Sequence, residues 1–269
     1  MRPILFMAVV LMSVGVLAGP AGSSTHRTAK KSTTATTSST SISELPVISC
    51  ATTYGGPTPA SPPFVASQLP TTTTTKGLSY YSNGLITVMG PAGWACSALV
   101  AGDGGQNLSV YPPGSPGVGN AATTTPKGSQ NVSFTLEYTG HIPGADVVCS
   151  FFPKSAAAAF VQSAQQSCVG LPAGEKTSQL TPDVVTFVDP PHVAGAGEGS
   201  GGSLTSIGAA VYPQLPFGGD DSVNVEVLGC TLGGKLAQLC RPVEGDFLVR
   251  NPPAYVPPPP SDTGNTGNS

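Results

Sequence analysis

The stretch Leu78-Ser-Tyr-Tyr-Ser-Asn-Gly-Leu-Ile-Thr-Val88 gives the clearest indication of the fold of this chain. Two segments rich in apolar residues, 78–81 and 85–88, flank Ser82, Asn83 and Gly84. Because Asn and Gly tolerate the left-handed backbone that tight turns need, this pattern is a strong signal of a β-hairpin. The chain is therefore predicted to contain antiparallel sheet.

Neighbouring segments are expected to extend this sheet. A second hairpin is predicted where residues 95–100 and 107–111 flank a glycine-rich turn at 102–105. Apolar and polar residues alternate over 132–138 and 223–227, which predicts strands with one face in a core and one in water. Further strands are expected over residues 145–151, 184–188 and 206–212.

One helix is predicted over residues 154–168, which contain four alanines and no Gly or Pro. Its small and apolar residues recur at i, i+3 and i+4, so they form one stripe that can lie against a sheet. A weaker helical segment is expected over 234–239. The predicted fold class is α+β: a mainly antiparallel β-sheet with about one packed helix, stapled by disulfides.

The amino terminus has the form of a secretory signal peptide. Arg2 is followed by an apolar run over residues 4–17 and then by the small residues Ala18, Gly19 and Ala21. Since a spanning helix needs about 20 apolar residues, cleavage is expected, with no stable membrane insertion afterwards. An uncleaved anchor is the alternative, because basic residues follow the run at 27, 30 and 31.

Composition divides the rest of the chain into three parts. Residues 23–45 are rich in Ser and Thr and poor in large apolar side chains, which predicts a disordered linker after a signal peptide at 1–22. Residues 251–269 are rich in Pro and predict a disordered tail. The intervening residues 46–250 are expected to form a single β-rich domain, since this length suffices for one core.

Cysteine usage agrees with export. In an exported chain an even number of cysteines indicates disulfides, and all six lie after the leader: Cys50, Cys96, Cys149, Cys168, Cys230 and Cys240. Several pairings are open; we predict the sequential one, which joins 50 to 96, 149 to 168 and 230 to 240. No Cys-x-x-Cys spacing occurs, so neither a thiolate metal site nor a redox centre is expected.

Charge restricts the class of partner. Charged residues make up 9% of the chain and the formal net charge is −3. Such a chain lacks the basic surface that binds nucleic acid or anionic membranes. We therefore expect an extracellular or cell-wall partner of another kind.

Two motifs are candidates for binding. Trp94, the only tryptophan, lies two residues before Cys96. An exposed Trp can stack on sugars, whereas a Trp beside a cystine usually packs in a core, so Trp94 is named as a possible binding residue. The glycine-rich stretch 195–202 contains G-x-G-x-x-G, but no helix is predicted after it. We expect a loop and no bound cofactor; a binding loop or lid is the alternative.

Catalytic motifs are few. Outside the linker the chain holds two histidines, His141 and His192, and neither a G-x-S-x-G elbow nor an H-E-x-x-H helix. A triad could combine one of them with Asp146 or Asp189 and some serine, since triads are assembled by the fold. No catalytic residue is assigned on this basis.

Several of these motifs together resemble a family. Gly93-Trp94-Ala95-Cys96, the Gly-Asp-Gly-Gly turn at 102–105 and Val110-Tyr-Pro-Pro-Gly114 are similar to those of a group of uncharacterised exported actinobacterial proteins. The Val-Asp-Pro-Pro stretch at 188–191, the glycine-rich stretch and Cys230-Thr-Leu fit the same resemblance. It implies a secreted or cell-envelope protein of a high-GC Gram-positive bacterium, and it implies no activity.

These observations favour a protein that is secreted or held in the cell envelope, with the cell wall as one site of association, and that acts as a non-catalytic binding or structural module. One alternative is a secreted hydrolase that uses His141 or His192. A second is a secreted protease inhibitor that presents the proline-containing loop 112–117.

Overall fold

The computed structural model describes residues 43–71, 76–102, 104–115, 126, 128–138, 148–154, 170–197, 199–212 and 224–252. These residues form two sheets, an α-helix with a short 3₁₀ helix before it, and a short helical segment at 148–151. The predicted α+β fold, mainly antiparallel and stapled by disulfides, is confirmed.

The smaller sheet has four strands in the order β3-β1-β4-β5. Strand β1 pairs antiparallel with β3 and parallel with β4, while β4 and β5 form the predicted hairpin. At its turn the Asn83 carboxamide oxygen accepts hydrogen bonds from the N–H groups of Leu85 and Ile86. The strands are β1 (Ser43–Ser49), β3 (Gln68–Thr71), β4 (Leu78–Ser82) and β5 (Thr87–Pro91).

The larger sheet has eight strands in the order β2-β6-β7-β8-β12-β11-β10-β9. All neighbours pair antiparallel except β2 and β6, which are parallel. The strands are β2 (Ala51–Tyr54), β6 (Ala95–Val100), β7 (Gln106–Tyr111), β8 (Asn131–Tyr138), β9 (Lys176–Thr181), β10 (Val184–Asp189), β11 (Ser206–Val211) and β12 (Asn224–Thr231).

The main core lies between the two sheets. It joins Tyr80, Tyr81 and Met89 of the smaller sheet to alternate residues of the larger one, such as Leu108 and Leu228. Because side chains alternate across a strand, the intervening residues of the larger sheet point to its other face. On that second face a smaller cluster packs residues 148–152 against the sheet, with the Phe151 and Phe187 rings 5.5 Å apart.

Helix α1 (Cys240–Arg250) follows the 3₁₀ helix Gly234–Leu239 and packs on β11, β12 and β5. Its Phe247 ring meets Phe134 of β8 edge to face, with centroids 5.4 Å apart. No helix among the described residues is both long and apolar enough to cross a membrane.

Two predicted disulfides are present, Cys50–Cys96 and Cys230–Cys240. Cys50 lies between β1 and β2, where the chain passes from the smaller to the larger sheet, so its bridge to β6 ties this crossing to the larger sheet. Cys149 is also disulfide-bonded, and its predicted partner Cys168 lies outside the described residues.

Three expectations differ from the structure. Residues 148–151, predicted as part of a strand, are helical; their bulky side chains pack on a sheet face and do not join its hydrogen-bonded ladder. The predicted helical segment 234–239 is present as a 3₁₀ helix, but it continues into an α-helix over Cys240–Arg250 that was not predicted. The first strand begins at Ser43, three residues before the predicted domain boundary at residue 46. The predicted helix at 154–168 lies outside the described residues beyond Lys154.

Candidate functional site

The glycine-rich stretch between β10 and β11 forms a loop that is closed by hydrogen bonds between its own residues. We call residues 193–197 and 199–202 the glycine loop. The N–H of His192, just before the loop, donates to the Gly202 carbonyl at 2.6 Å, which closes the base of the loop. The N–H of Gly195 donates to the Ser200 hydroxyl at 2.9 Å, and the N–H of Ser200 donates to the Gly197 carbonyl at 3.0 Å.

Beneath this loop, four polar residues lie side by side on the second face of the larger sheet. Asn131 of β8 pairs with Thr231 of β12, Thr231 pairs with Ser206 of β11, and Ser206 pairs with Asp189 of β10. Each is at most 1% exposed. We call Asn131, Thr231, Ser206 and Asp189 the polar row.

The glycines of the loop are required by the closeness of the polar row. A Cβ on Gly195 would lie 1.8 Å from an Asp189 carboxylate oxygen, and one on Gly197 would lie 2.6 Å from the Cβ of Ser206. A Cβ on Gly199 would lie 3.6 Å from the Asn131 carboxamide oxygen. The loop therefore lies close to Asp189, Ser206 and Asn131 of the row.

A second carboxyl group joins Asp189. Glu175, just before β9, lies within hydrogen-bonding reach of Asp189, because Lys176 pairs with Val188 in the β9–β10 ladder. One oxygen of each carboxyl group accepts a backbone N–H from the glycine loop. Glu175 Oε2 accepts from Ala196 at 3.1 Å, and Asp189 Oδ2 accepts from Gly197 at 2.8 Å.

The environment of this carboxyl pair favours a proton on it. Burial and, to a lesser extent, the negative charge of Asp189 raise the pKa of Glu175 to about 7, against the opposing hydrogen bond from Ala196. Burial also raises the pKa of Asp189. The remaining oxygens, Glu175 Oε1 and Asp189 Oδ1, have no donor among the described residues. A single proton shared between the two carboxyl groups would supply the missing donor.

Asn131 is the unusual member of the polar row. Ser206 and Thr231 satisfy each other through a hydroxyl–hydroxyl contact of 2.5 Å. In contrast, both the Nδ2 and the Oδ1 of Asn131 lack a hydrogen-bond partner among the described residues, although the side chain is buried. Leaving such groups unpaired costs about 1–3 kcal/mol each, so a buried orphan amide calls for a functional explanation.

Two clefts on the described part of the surface have linings that include no residue of the polar row. One of about 620 Å³ lies between Pro153 and the β9–β10 turn. Another of about 330 Å³ lies beside the 3₁₀ helix and is lined by Leu204, Leu232 and Gly233. Because the four residues of the row are at most 1% exposed, access of a ligand to them requires that the glycine loop lift. No group of three or more His, Cys, Asp or Glu among the described residues could hold a metal ion.

The residues singled out from sequence are distributed over the molecule. Trp94 is half-buried against the main core, and its backbone N–H donates to the Tyr81 hydroxyl at 3.1 Å. Its role in binding stays a prediction. His192 is exposed, with a φ of 69°, and Asp189 bonds to Gly197 and Glu175 and not to this histidine. His141 and Asp146 lie outside the described residues.

The inhibitor loop predicted at 112–117 is described as far as Ser115. Its N–H donates to the Pro112 carbonyl at 3.1 Å, which makes a turn. The inhibitory role of this loop stays a prediction.

Sequence reasoning missed Glu175, Asn131, Thr231 and Ser206 as site residues. The strand Asn131–Tyr138 did carry a signal, since its polar positions alternate with buried apolar ones. That alternation was interpreted as a face in water. In the structure Asn131 and Ser133 on that face are buried.

Comparison with protein-family models, curated proteins and solved structures found no match to the chain.

Proposed function

We propose that this protein is an exported, non-catalytic binding module, secreted or held in the cell envelope, which binds a hydroxyl-rich glycan at the polar row when the glycine loop lifts. The observation that carries the proposal is Asn131. Its buried carboxamide has a donor and an acceptor, both without a partner among the described residues, and both lie under a loop.

The chemistry of the row suits a ligand rich in hydroxyl groups. It offers a carboxamide, two hydroxyls and a carboxyl pair, so it can both donate and accept hydrogen bonds. Neighbouring strands lie about 4.8 Å apart, so the four positions extend over about 14 Å. This extent fits an extended ligand that forms several hydrogen bonds in sequence. The row includes no Lys or Arg, which argues against a phosphate-rich ligand.

The frame around the site supports a role outside the cytoplasm. Disulfides persist in oxidising compartments, and the described part of the chain holds Cys50–Cys96 and Cys230–Cys240. The second of these joins the end of β12, next to Thr231 of the polar row, to the start of α1. The proposed export thus rests on these bridges together with the signal-peptide pattern at residues 1–22.

Asn131→Ala tests the site. Isothermal titration with purified N-acetylglucosamine–N-acetylmuramic acid glycan strands should show that affinity falls about tenfold or more when these hydrogen bonds are lost. The free energy of unfolding should change by less than about 1 kcal/mol, because removing two unpaired polar atoms offsets the lost packing. A stability measurement by urea unfolding accompanies the titration.

Asn107→Ala is the matched control. Asn107 lies on the same face in β7, but its side chain bonds to Thr135 at 3.0 Å and to Ser109 at 3.0 Å. This variant should lose stability and keep affinity, the reverse of Asn131→Ala. The proposal is wrong if the unchanged protein does not bind the glycan between pH 5 and pH 8, or if Asn131→Ala binds as tightly.

One observation favours a hydrolase as the second candidate. Two carboxyl groups that share a proton can act as an acid–base pair, as they do in aspartic proteases. In this reading the pair Glu175–Asp189 replaces the histidines as the catalytic groups. Asp189→Asn distinguishes the candidates: a hydrolase loses turnover of glycan or peptide substrates, whereas a binding module shows no turnover in either form.

A further inference from the structure

We infer that Glu175 and Asp189 form a proton-operated latch, which holds the glycine loop over the polar row while the two carboxyl groups share a proton and releases it when that proton is lost. The latch would regulate the same site, so its role in binding rests on the proposed function. Its operation on the loop does not depend on any ligand.

The geometry of the latch is that of two adjacent anchors. Ala196 and Gly197 are consecutive, and their N–H groups donate to two different carboxyl groups. One carboxyl group belongs to β10 and the other precedes β9, so the loop is fixed to the edge of the larger sheet at two points. Gly197 also lies directly on Ser206 of the polar row. Release of these two N–H groups therefore frees the part of the loop that covers Asp189 and Ser206, while the Gly128 N–H still donates to the Gly199 carbonyl at 2.7 Å.

The stability of the closed loop depends on whether the carboxyl pair carries a proton. Like charges on opposite residues of neighbouring strands destabilise a sheet, and burial strengthens the repulsion. With one proton, the two oxygens that otherwise lack a donor form a hydrogen bond with each other. Without it, two buried carboxylates face each other, and opening of the loop lets water reach them. Loss of the proton should thus favour the open loop.

Few other ionisable groups compete with this pair. Among the described residues of β9, β10 and the loop segment, the others are Lys176, Asp183 and His192. Lys176 and His192 are exposed, and Asp183 lies in the turn at the far end of the β9–β10 hairpin. Strand β11 has no ionisable side chain, and Glu226 lies toward the other end of β12 from Thr231. Among the described residues, Glu175 and Asp189 are therefore the ionisable side chains that contact the loop from the sheet.

Amide hydrogen exchange measured by NMR tests the latch directly. The protection of the Ala196 and Gly197 amides, corrected for the intrinsic effect of pH on exchange, is compared at pH 6 and pH 8. Because the pKa of Glu175 is about 7 in the closed form, protection should fall about tenfold over this range if the open form titrates normally.

Glu175→Gln supplies a permanent neutral donor in nearly the same shape. Its loop should stay protected at both pH values. Asp189→Asn is the second variant, with the same expectation, should Glu175→Gln fold poorly. Glu226→Gln is the matched control. Burial also raises the pKa of Glu226, but this residue lies in β12, toward the end away from Thr231 and the loop. It should keep the pH dependence of the unchanged protein.

The outcomes separate the latch from the proposed function. A pH-dependent loop that the Gln variant makes constant supports the latch, even if no glycan binds. Equal protection at both pH values in the unchanged protein overturns it, even if glycan binding is strong. The same loss of protection in Glu175→Gln as in the unchanged protein also overturns it.

Discussion

At the scale of single residues, the site depends on glycines, which have no side chain, at loop positions close to the polar row. Gly195 and Gly197 occupy loop positions where a Cβ would run into Asp189 or Ser206 of the polar row. Gly197 is the sharpest case, since its backbone N–H binds Asp189 while its Cα lies over Ser206. The first glycine of the G-x-G-x-x-G spacing is thus explained by close packing on a polar surface.

Gly197→Ala should therefore destabilise the protein by about 1–3 kcal/mol, because the added methyl group must push the loop away from Ser206 and Asp189. Urea unfolding measures the loss. Gly170→Ala is the matched control, since a Cβ there meets nothing within 4 Å, and it should be neutral or slightly stabilising. Equal stability of the two variants would show that the loop does not rest on the row as described.

At the scale of elements, helix α1 is joined to the smaller sheet by one polar cluster. The Tyr80 hydroxyl donates to Asp246 at 2.6 Å, and Arg250 donates to Asp246 at 3.0 Å and to the Pro70 carbonyl at 2.6 Å. The guanidinium also lies 4.3 Å from the centre of the Tyr80 ring. Strands β3 and β4 and the helix end thus meet at a single arginine.

Arg250→Ala should lower the free energy of unfolding by about 2 kcal/mol, because it removes charge-assisted hydrogen bonds from the nearly buried Asp246. Arg241→Ala is the control in the same helix. Arg241 also forms an ion pair, with Glu244 at 2.7 Å, but its side chain is 68% exposed, so its loss should cost less than about 1 kcal/mol. Chemical denaturation of both variants provides the comparison, and equal losses would contradict a special role for the Arg250 cluster.

The elements that sequence predicted are those with local signals. Strands β4 to β8 and β10 to β12 have tight turns between them or a clear alternation of apolar and polar residues. Strands β1, β2, β3 and β9 are mostly exposed and carry no clear alternation of apolar and polar residues. For β1 and β2, the pairing also depends on partners distant in sequence, β4 and β6. Helix α1 was missed because Pro242 and Gly245 disfavour helix interiors. In the structure Pro242 lies in the first turn, where its missing N–H costs nothing.

The same reasoning explains why the carboxyl pair could not be predicted. Glu175 and Asp189 become neighbours only through the register of β9 against β10. Since β9 carries no apolar alternation, it was not recognised as a strand, and the register that the turn at 182–183 sets could not be derived. The sequence suggested Asp189 only as a partner for a histidine, whereas in the structure its neighbour is Glu175.

At the scale of the whole molecule, the buried acids make stability depend on pH in an unusual direction. Burial raises the pKa values of Glu175, Asp189, Glu226 and Glu244. An acid whose pKa is raised on folding binds more protons in the folded state than in the unfolded state. The stability it contributes is complete below the unfolded pKa and is lost as pH rises through the folded pKa.

The free energy of unfolding should therefore decrease between about pH 4.5 and pH 7, where Glu175 is ionised in the unfolded state but still protonated in the folded state. The shift of this group corresponds to a loss of up to about 3 kcal/mol. Urea unfolding at pH 5 and pH 8 measures it, and Glu175→Gln should flatten the difference while Glu226→Gln retains most of it. A protein more stable at pH 8 than at pH 5 would mean that both carboxyl groups are ionised and separated in the folded state. In that case the loop would be held by two carboxylates, and its closure would need no proton.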